Sequence, residues 1–250
     1  MASATIGPVS TDAEPRVYIQ EGFRWDGQGA YLFDIDGTLL RSRDRIHVNS
    51  FMESVRSVMG HELSLEGVVL QGNTDPGILR DAFLLAKVDE EHWKPVLEAI
   101  LEEMRVSVAA RRGEMTIVRM PGVEETLEHL QRKGAVLGVA TGNLETIGWL
   151  KIETVGLREW FRFGGFSDRF AVRAEMIAHA AGEARRLAGP DATVCVVGDT
   201  PADIAAAKAN GLPTIAVATG NPTFDQLMAC GPEVCTTTLE ALLQSTAAAR

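Results

Sequence analysis

The run Tyr31-Leu-Phe-Asp-Ile-Asp-Gly-Thr-Leu-Leu40 constrains the fold more than any other stretch of the chain. Three apolar or aromatic residues lead straight into Asp34, as in a short strand buried within a sheet, and Gly37-Thr38 then breaks the run. Two carboxylates therefore stand where a core strand ends and the chain turns. Alternate residues of an extended chain point the same way, so Asp34 and Asp36 can reach into one crevice. In open α/β sheets the crevice at the carboxyl ends of the strands is where ligands bind. Two like charges held that close resist joint ionisation. They need a cation between them, or one must hold a proton. The plainer reading of the same residues is an Asp-Gly turn capped by Thr38. The rest of the chain decides between the two.

From Pro121-Gly122 onward, strand-like and helical stretches alternate. Helices are expected over 123–133, 144–154, 173–187 and 201–210, the last opened by Pro201 and followed by Gly211. Strands are expected over 135–140, 161–166, 193–197 and 214–217. A short helix at 224–229, an edge strand at 234–236 and a closing helix at 239–246 complete the chain. This rhythm implies an α/β fold, a Rossmann-like parallel sheet with helices on both faces and right-handed crossovers. Between Val48 and Arg112 the pattern is helical throughout. Asn49 or Ser50 is placed to cap one helix, Pro76 to open a second, and Val96, Ile100, Leu101 and Met104 form a third stripe. Residues 46–113 read as an inserted helical cap domain, and 25–45 with 114–250 as the α/β core. Arg41 to Arg45 reads as a polar linker between them. Residues 1–24 read as a disordered leader, with 17–19 and 22–25 as short extended pieces at most.

Composition narrows the function. A net charge of −10 with no dense Lys/Arg block argues against nucleic acid as a partner. The polar N-terminus lacks the apolar core of a secretory signal, and no apolar run approaches the length of a membrane span. Cys195, Cys230 and Cys235 are odd in number and lack CxxC spacing, which suits a reducing compartment. A soluble, cytoplasmic protein is the expectation; oligomeric state is not legible.

The strand ends carry the chemistry. The first supplies Asp34 and Asp36, the second Thr141, the fourth Asp199, with Asp203 one helical turn further on. Carboxylates and a hydroxyl, without His or Cys, suit a hard cation such as Mg²⁺ rather than Zn²⁺. A turn residue is the plainer reading of Asp199, and an exposed helix position that of Asp203. The five histidines are scattered and read as surface or satisfied residues, and Trp93, Trp149 and Trp160 as packing residues. Gly72-Asn73-Thr74-Asp75 is a polar loop within the cap, either a substrate-specificity loop built on Thr74 and Asp75 or a helix cap ahead of Pro76.

This ordered set resembles the haloacid dehalogenase superfamily of phosphatases, in the C1-capped, phosphoglycolate phosphatase-like branch. Asp34-Ile-Asp-Gly-Thr-Leu39 matches its DxDGT motif, Thr141 its Ser/Thr motif, and Gly198-Asp-Thr-Pro-Ala-Asp203 its GDxxxD motif. The resemblance implies Asp34 as the nucleophile that takes the phosphoryl group, and Asp36 as general acid and then base. It implies Mg²⁺ on Asp34, the Asp36 carbonyl and Asp199, with Asp203 behind them. It further implies phosphate held by Thr141 and the backbone N–H groups of Gly142 and Asn143. The family's usual Lys after the third strand is missing: no Lys occurs between Phe166 and Lys208. Arg173 is the best substitute and Arg169 the second choice, although Arg and Lys are not interchangeable.

The function expected is a Mg²⁺-dependent phosphatase of small phosphorylated metabolites. A β-phosphoglucomutase-like mutase would share every motif. Phosphonate cleavage would need a cap lysine, for which Lys87 and Lys94 are available without a supporting pattern. A dehalogenase would have no acid at position 36. A non-catalytic binding protein should have lost a motif carboxylate, and none is lost.

Overall fold

The computed structural model describes residues 14–248. The chain forms, in order, β1 (Val17–Ile19), β2 (Ala30–Phe33), β3 (Leu40–Ser42), α1 (Ile46–Met59), α2 (Asp75–Leu85), α3 (Glu90–Trp93) and α4 (Leu97–Ala110). It continues through β4 (Ile117–Arg119), α5 (Val123–Arg132), β5 (Val136–Ala140), α6 (Glu145–Thr154), β6 (Phe163–Gly165), α7 (Arg173–Ala188) and β7 (Val194–Gly198). It ends in α8 (Pro201–Ala209), β8 (Thr214–Val217), α9 (Phe224–Ala229), β9 (Val234–Thr236) and α10 (Leu239–Ala248). One sheet has the order β1-β9-β8-β7-β2-β5-β6, and every pair in it is parallel except β1 with β9.

β2 lies at the middle of this sheet and is buried along its whole length. Its alternation sorts the two faces. Tyr31 and Phe33 pack with Leu127, Leu130, Leu239 and Leu242 of α5 and α10. Ala30 and Leu32 pack on the other face against Ala180 and Ala184 of α7 and Ala207 of α8, where small side chains bring helix and sheet close. The chain runs from β2 to β5 and β6 on one side, then returns to lay β7 on the other. That reversal at β2 opens the crevice in which a doubly wound sheet holds ligands.

Helices α1, α2 and α4 enclose an apolar cluster of their own, including Phe51, Val55, Leu79, Phe83, Ile100, Met104 and Val108. Leu144 and Ile147, at the start of α6, belong to the same cluster and seat these helices on the sheet-bearing part.

Four readings from sequence are corrected. The polar linker is not irregular: β3 pairs antiparallel with β4 as a two-stranded stalk where the chain leaves for the helical insertion and returns. Strands of three residues are too short to show alternation. α1 begins at Ile46, ahead of Asn49 and Ser50, because Asp44 Oδ1 accepts the Ile46 N–H at 3.0 Å. β9 is not an edge, since β1 pairs beyond it. The disordered leader read over 1–24 lies outside the described residues up to 13 and is ordered from 14 onward, where 17–19, expected as a short extended piece, form that outer strand. Arg16 there is held by Asp225 at 2.7 Å, a partner too far along the sequence to be foreseen.

Candidate active site

β2 is flanked by β5 and β7, so Asp34, Thr141 and Asp199, each next after its strand, meet at one edge. Beyond Asp34 the chain folds back tightly, with the Gly37 N–H on the Leu40 carbonyl at 2.8 Å and the Leu39 N–H on that of Ile35 at 3.0 Å. Gly37 has φ +92°, and a Cβ there would collide with the Asp199 carboxylate. Glycine therefore lets the two strand ends close on each other.

One half of the site is a cluster of carboxylates. Single oxygens of Asp34, Asp199 and Asp203 lie within 4.8 Å of one another, and all three residues are buried. Arg173, the first residue of α7, donates through Nη2 to Asp34 Oδ1 at 2.8 Å and to Asp203 Oδ1 at 2.5 Å. The other Asp203 oxygen is taken by the Thr200 N–H at 3.0 Å and hydroxyl at 2.6 Å, closing a capping box at the start of α8. Asp203 is therefore fully engaged, holding Arg173 and its own loop. Asp199 Oδ1 accepts from the Thr38 hydroxyl at 3.1 Å. Among the described residues, Asp34 Oδ2 and Asp199 Oδ2 accept no hydrogen bond. Burial, with the neighbouring carboxylates, pushes Asp34 up to about 7 against the opposing pull of Arg173. The same causes, burial first, hold Asp199 well above the usual carboxylate range. Three carboxylates share one guanidinium in this buried space, so positive charge is short there. The donor set is all oxygen, with two oxygens unclaimed, and it fits a hard divalent cation such as Mg²⁺.

The other half surrounds Asp36 and includes a residue that the sequence reading passed over. Lys151 is a buried side chain of α6, and its Nζ lies 2.7 Å from Asp36 Oδ2, 2.8 Å from Asn143 Oδ1 and 3.1 Å from His47 Nδ1. Asn143 Nδ2 donates to the same Asp36 oxygen at 2.9 Å and to Thr141 Oγ1 at 2.6 Å. Burial opposes ionisation of Asp36, yet Lys151, with Asn143, holds its carboxyl below the usual range. Lys151 lies four residues after Ile147 and beside Ile152 in the buried stripe of α6, but that stripe emerges only from the packing, because the helix sequence has no clear apolar face of its own. His47, read as a surface or satisfied residue, has both ring nitrogens engaged, and it also lines the cavity.

The remaining expectations divide. Thr141, Gly142 and Asn143 all line the cavity, and the Asn143 N–H donates to Thr141 Oγ1 at 3.3 Å. Arg173 reaches Asp34, whereas Arg169 is exposed and lies off the cavity. Lys87 and Lys94 are likewise exposed and off the cavity.

The 72–75 loop sits over the sheet edge. The Asp75 N–H donates to the Gly142 carbonyl at 2.7 Å, and the Thr74 hydroxyl to the Ala171 carbonyl at 3.0 Å while capping α2. Asp75 Oδ2 accepts the Leu144 N–H at 2.8 Å and faces His47 Nε2 at 3.1 Å. These residues act as a clasp between the helical insertion and the sheet, so the helix-cap reading of Thr74 accounts for its contacts. Between the two parts lies a cavity of 320 Å³. It is lined by Asp34, Asp36 and Thr141, by Arg41, Arg45 and His47, and by the apolar side chains of Val48, Phe51 and Ile78.

Such a sheet edge, with paired acids after the central strand and an inserted helical cover, defines a class of hydrolase-like α/β proteins. The model of the haloacid dehalogenase-like hydrolases matches residues 31–217, and the chain belongs to that family. It is 32% identical over 194 residues to a phosphoglycolate phosphatase of Xanthomonas campestris, covering 76% of this chain and 83% of that one. It is 28% identical over 229 residues to a protein named "Probable phosphatase IndB" of Dickeya dadantii, covering 85% and 90%. Among solved structures, a hydrolase from Pseudomonas syringae superposes with a TM-score of 0.65 at 18% identity, over 87% of this chain and 97% of that one.

Proposed function

We propose that this protein is a Mg²⁺-dependent phosphatase of small phosphorylated metabolites, acting through an aspartyl-phosphate on Asp34. The observation that carries the reading is the arrangement around Asp34. One oxygen is held by Arg173, the other is unclaimed, and Asp199 lies beside it in the lining of the cavity. Family membership and relatives named as phosphatases support it. Asp34, Asp199 and the Asp36 carbonyl would hold Mg²⁺, with Asp203 fixing Arg173 behind them. The metal would offset the repulsion between a carboxylate nucleophile and an anionic phosphate.

The chain's own residues account for the remaining steps. Asp34 Oδ2 bonds to phosphorus, and the bond from phosphorus to the leaving oxygen breaks. Asp36 delivers the proton which that oxygen needs, through its free Oδ1. The negative phosphate arriving beside Asp36 favours its protonated form for this step. Once the alcohol has left, Asp36 is ionised again under the influence of Lys151 and removes a proton from water. That water attacks phosphorus, the bond to Asp34 breaks, and inorganic phosphate departs. The Thr141 hydroxyl and the Gly142 N–H are the groups placed to donate to the phosphate oxygens. Phosphoryl transfer asks mainly for such positioning and charge neutralisation.

The test is a panel of phosphate monoesters with purified protein. Turnover should stop on chelation and return with Mg²⁺ better than with Ca²⁺, whose larger, more variable coordination sphere disturbs in-line geometry. Turnover unaffected by chelation, or restored equally by Ca²⁺, overturns the metal assignment. No turnover of any phosphate monoester overturns the activity.

A further inference from the structure

We propose that Lys151 is a positioning residue for proton transfer: it locks the Asp36 side chain with one oxygen anchored and the other presented to the leaving group. The inference rests on reading Asp36 as the proton-transfer group. A lysine ammonium has three N–H donors and no acceptor. Three acceptors surround Lys151 Nζ, namely Asp36 Oδ2, Asn143 Oδ1 and His47 Nδ1, at 2.7, 2.8 and 3.1 Å. Every donor of this buried cation is therefore used, and its place is fixed from three directions.

The donors also fix their partners. Because the ammonium cannot accept, His47 Nδ1 must, so the ring proton lies on Nε2 and is donated to Asp75 Oδ2 at 3.1 Å. Because Asn143 Oδ1 accepts from Lys151, its amide hydrogens point to Asp36 Oδ2 and Thr141 Oγ1, at 2.9 and 2.6 Å. Asp36 Oδ2 then carries two donors, and Oδ1 carries none among the described residues. The carboxyl cannot rotate without breaking both bonds. The Lys151 stem adds a second restraint, since it lies in the apolar stripe of α6 with Ile147 and Ile152. Nor is Lys151 free to hold phosphate, because its three protons are already committed. Its contribution is therefore to orientation, and it acts through Asp36.

This separates Lys151 from a phosphate-binding cation in a measurable way. General acid help matters most when the leaving oxygen is poor, and contributes a factor of about 10²–10⁴ there. Lys151→Met should slow phosphorylation of Asp34 by an alkyl phosphate roughly tenfold or more, part of that range. In the same single-turnover measurement an aryl phosphate, whose leaving group needs little help, should lose less than about threefold. In an Asp36→Ala background, Lys151→Met should add nothing further to the alkyl loss, because residues acting as one unit are not additive. If Lys151→Met fails to fold by circular dichroism, Lys151→Gln, which is polar, uncharged and one atom shorter, takes its place. Equal losses on the two substrates, or losses that multiply with Asp36→Ala, overturn the proposal. Either result leaves the phosphatase reading intact, which fails only if wild-type protein turns over neither substrate.

Discussion

Asp34 and Asp36 are two residues apart on one loop, yet their surroundings push them in opposite directions. Asp34 shares a buried space with two further carboxylates and a single guanidinium, so burial and like charge raise it to about 7. Asp36 has an ammonium and an amide of its own, and is held below the usual range although burial opposes this. The first environment is short of positive charge and suits a cation. The second is balanced already and suits a carboxyl that must return to the ionised state after each proton transfer. On the proposed mechanism, identical side chains would take separate tasks through the count of cations around each.

The largest effect expected is at Asp34. Asp34→Asn is nearly isosteric and can still accept from Arg173 Nη2, so the fold should survive, but an amide does not attack phosphorus. Turnover should fall to background in the monoester assay while the circular dichroism spectrum is unchanged. Retention of more than roughly a few percent of turnover would remove Asp34 as nucleophile.

A smaller effect, read without activity, concerns the shortage of positive charge around Asp34. If three carboxylates await a divalent cation, the chelated protein should be destabilised by their repulsion. Asp34 binds its proton more tightly folded than unfolded, since its pKa rises from 3.8 to about 7. Its contribution to stability therefore falls as pH rises from about 4 through 7. Asp199→Asn keeps the bond from Thr38 but removes one charge, so the chelated variant should melt higher than chelated wild type at pH 8. Mg²⁺ at a hundredfold excess over Kd stabilises by about 2.7 kcal/mol. In a chain of this size that corresponds to roughly 5–10 °C in Tm. Wild type should show this rise and Asp199→Asn should lose it. A variant that melts lower when chelated, or still responds fully to Mg²⁺, would mean that the cluster is satisfied by Arg173 alone.

The two halves also differ in how far they could be read in advance. The Asp34 half stands on strand ends, and strand ends declare themselves as apolar runs stopped by polar residues. Asp34, Thr141 and Asp199 all have that form, and Arg173 is marked by its place at the first turn of a helix. The parallel sheet and its covering helices follow from the same rhythm. The Asp36 half stands on contacts between elements. Lys151 comes from inside a helix, where a lone charged residue reads as solvent-facing unless the packing of α6 is known. His47 reaches it from α1, and its histidine character alone carries no address. The β3–β4 stalk and the pairing of β1 with β9 were hidden for related reasons. Strands of three residues show no period, and the latter pairing joins segments more than two hundred residues apart in sequence.

The smallest effect expected is at Asp75, and it bears on whether the two halves are independent. Its carboxylate holds the Leu144 N–H and, through His47, the third side of the Lys151 cradle. Asp75→Ala leaves the Thr74 cap of α2 and the separate tie between Arg105 and Asp168, 2.9 Å apart, so the helical insertion should remain folded and seated. The loss, chiefly the buried Leu144 N–H left unpaired, is about 1–3 kcal/mol. Lys151 would keep two of its three acceptors, and Asp36 would keep both its donors. Phosphorylation by an alkyl phosphate should therefore fall by a few fold, less than for Lys151→Met, with an aryl phosphate nearly unaffected. That graded asymmetry would show the clasp acting on the Asp36 half alone. A loss shared equally by alkyl and aryl phosphates would mean instead that the clasp keeps the whole cavity closed over both halves, and that their separation ends at the cap.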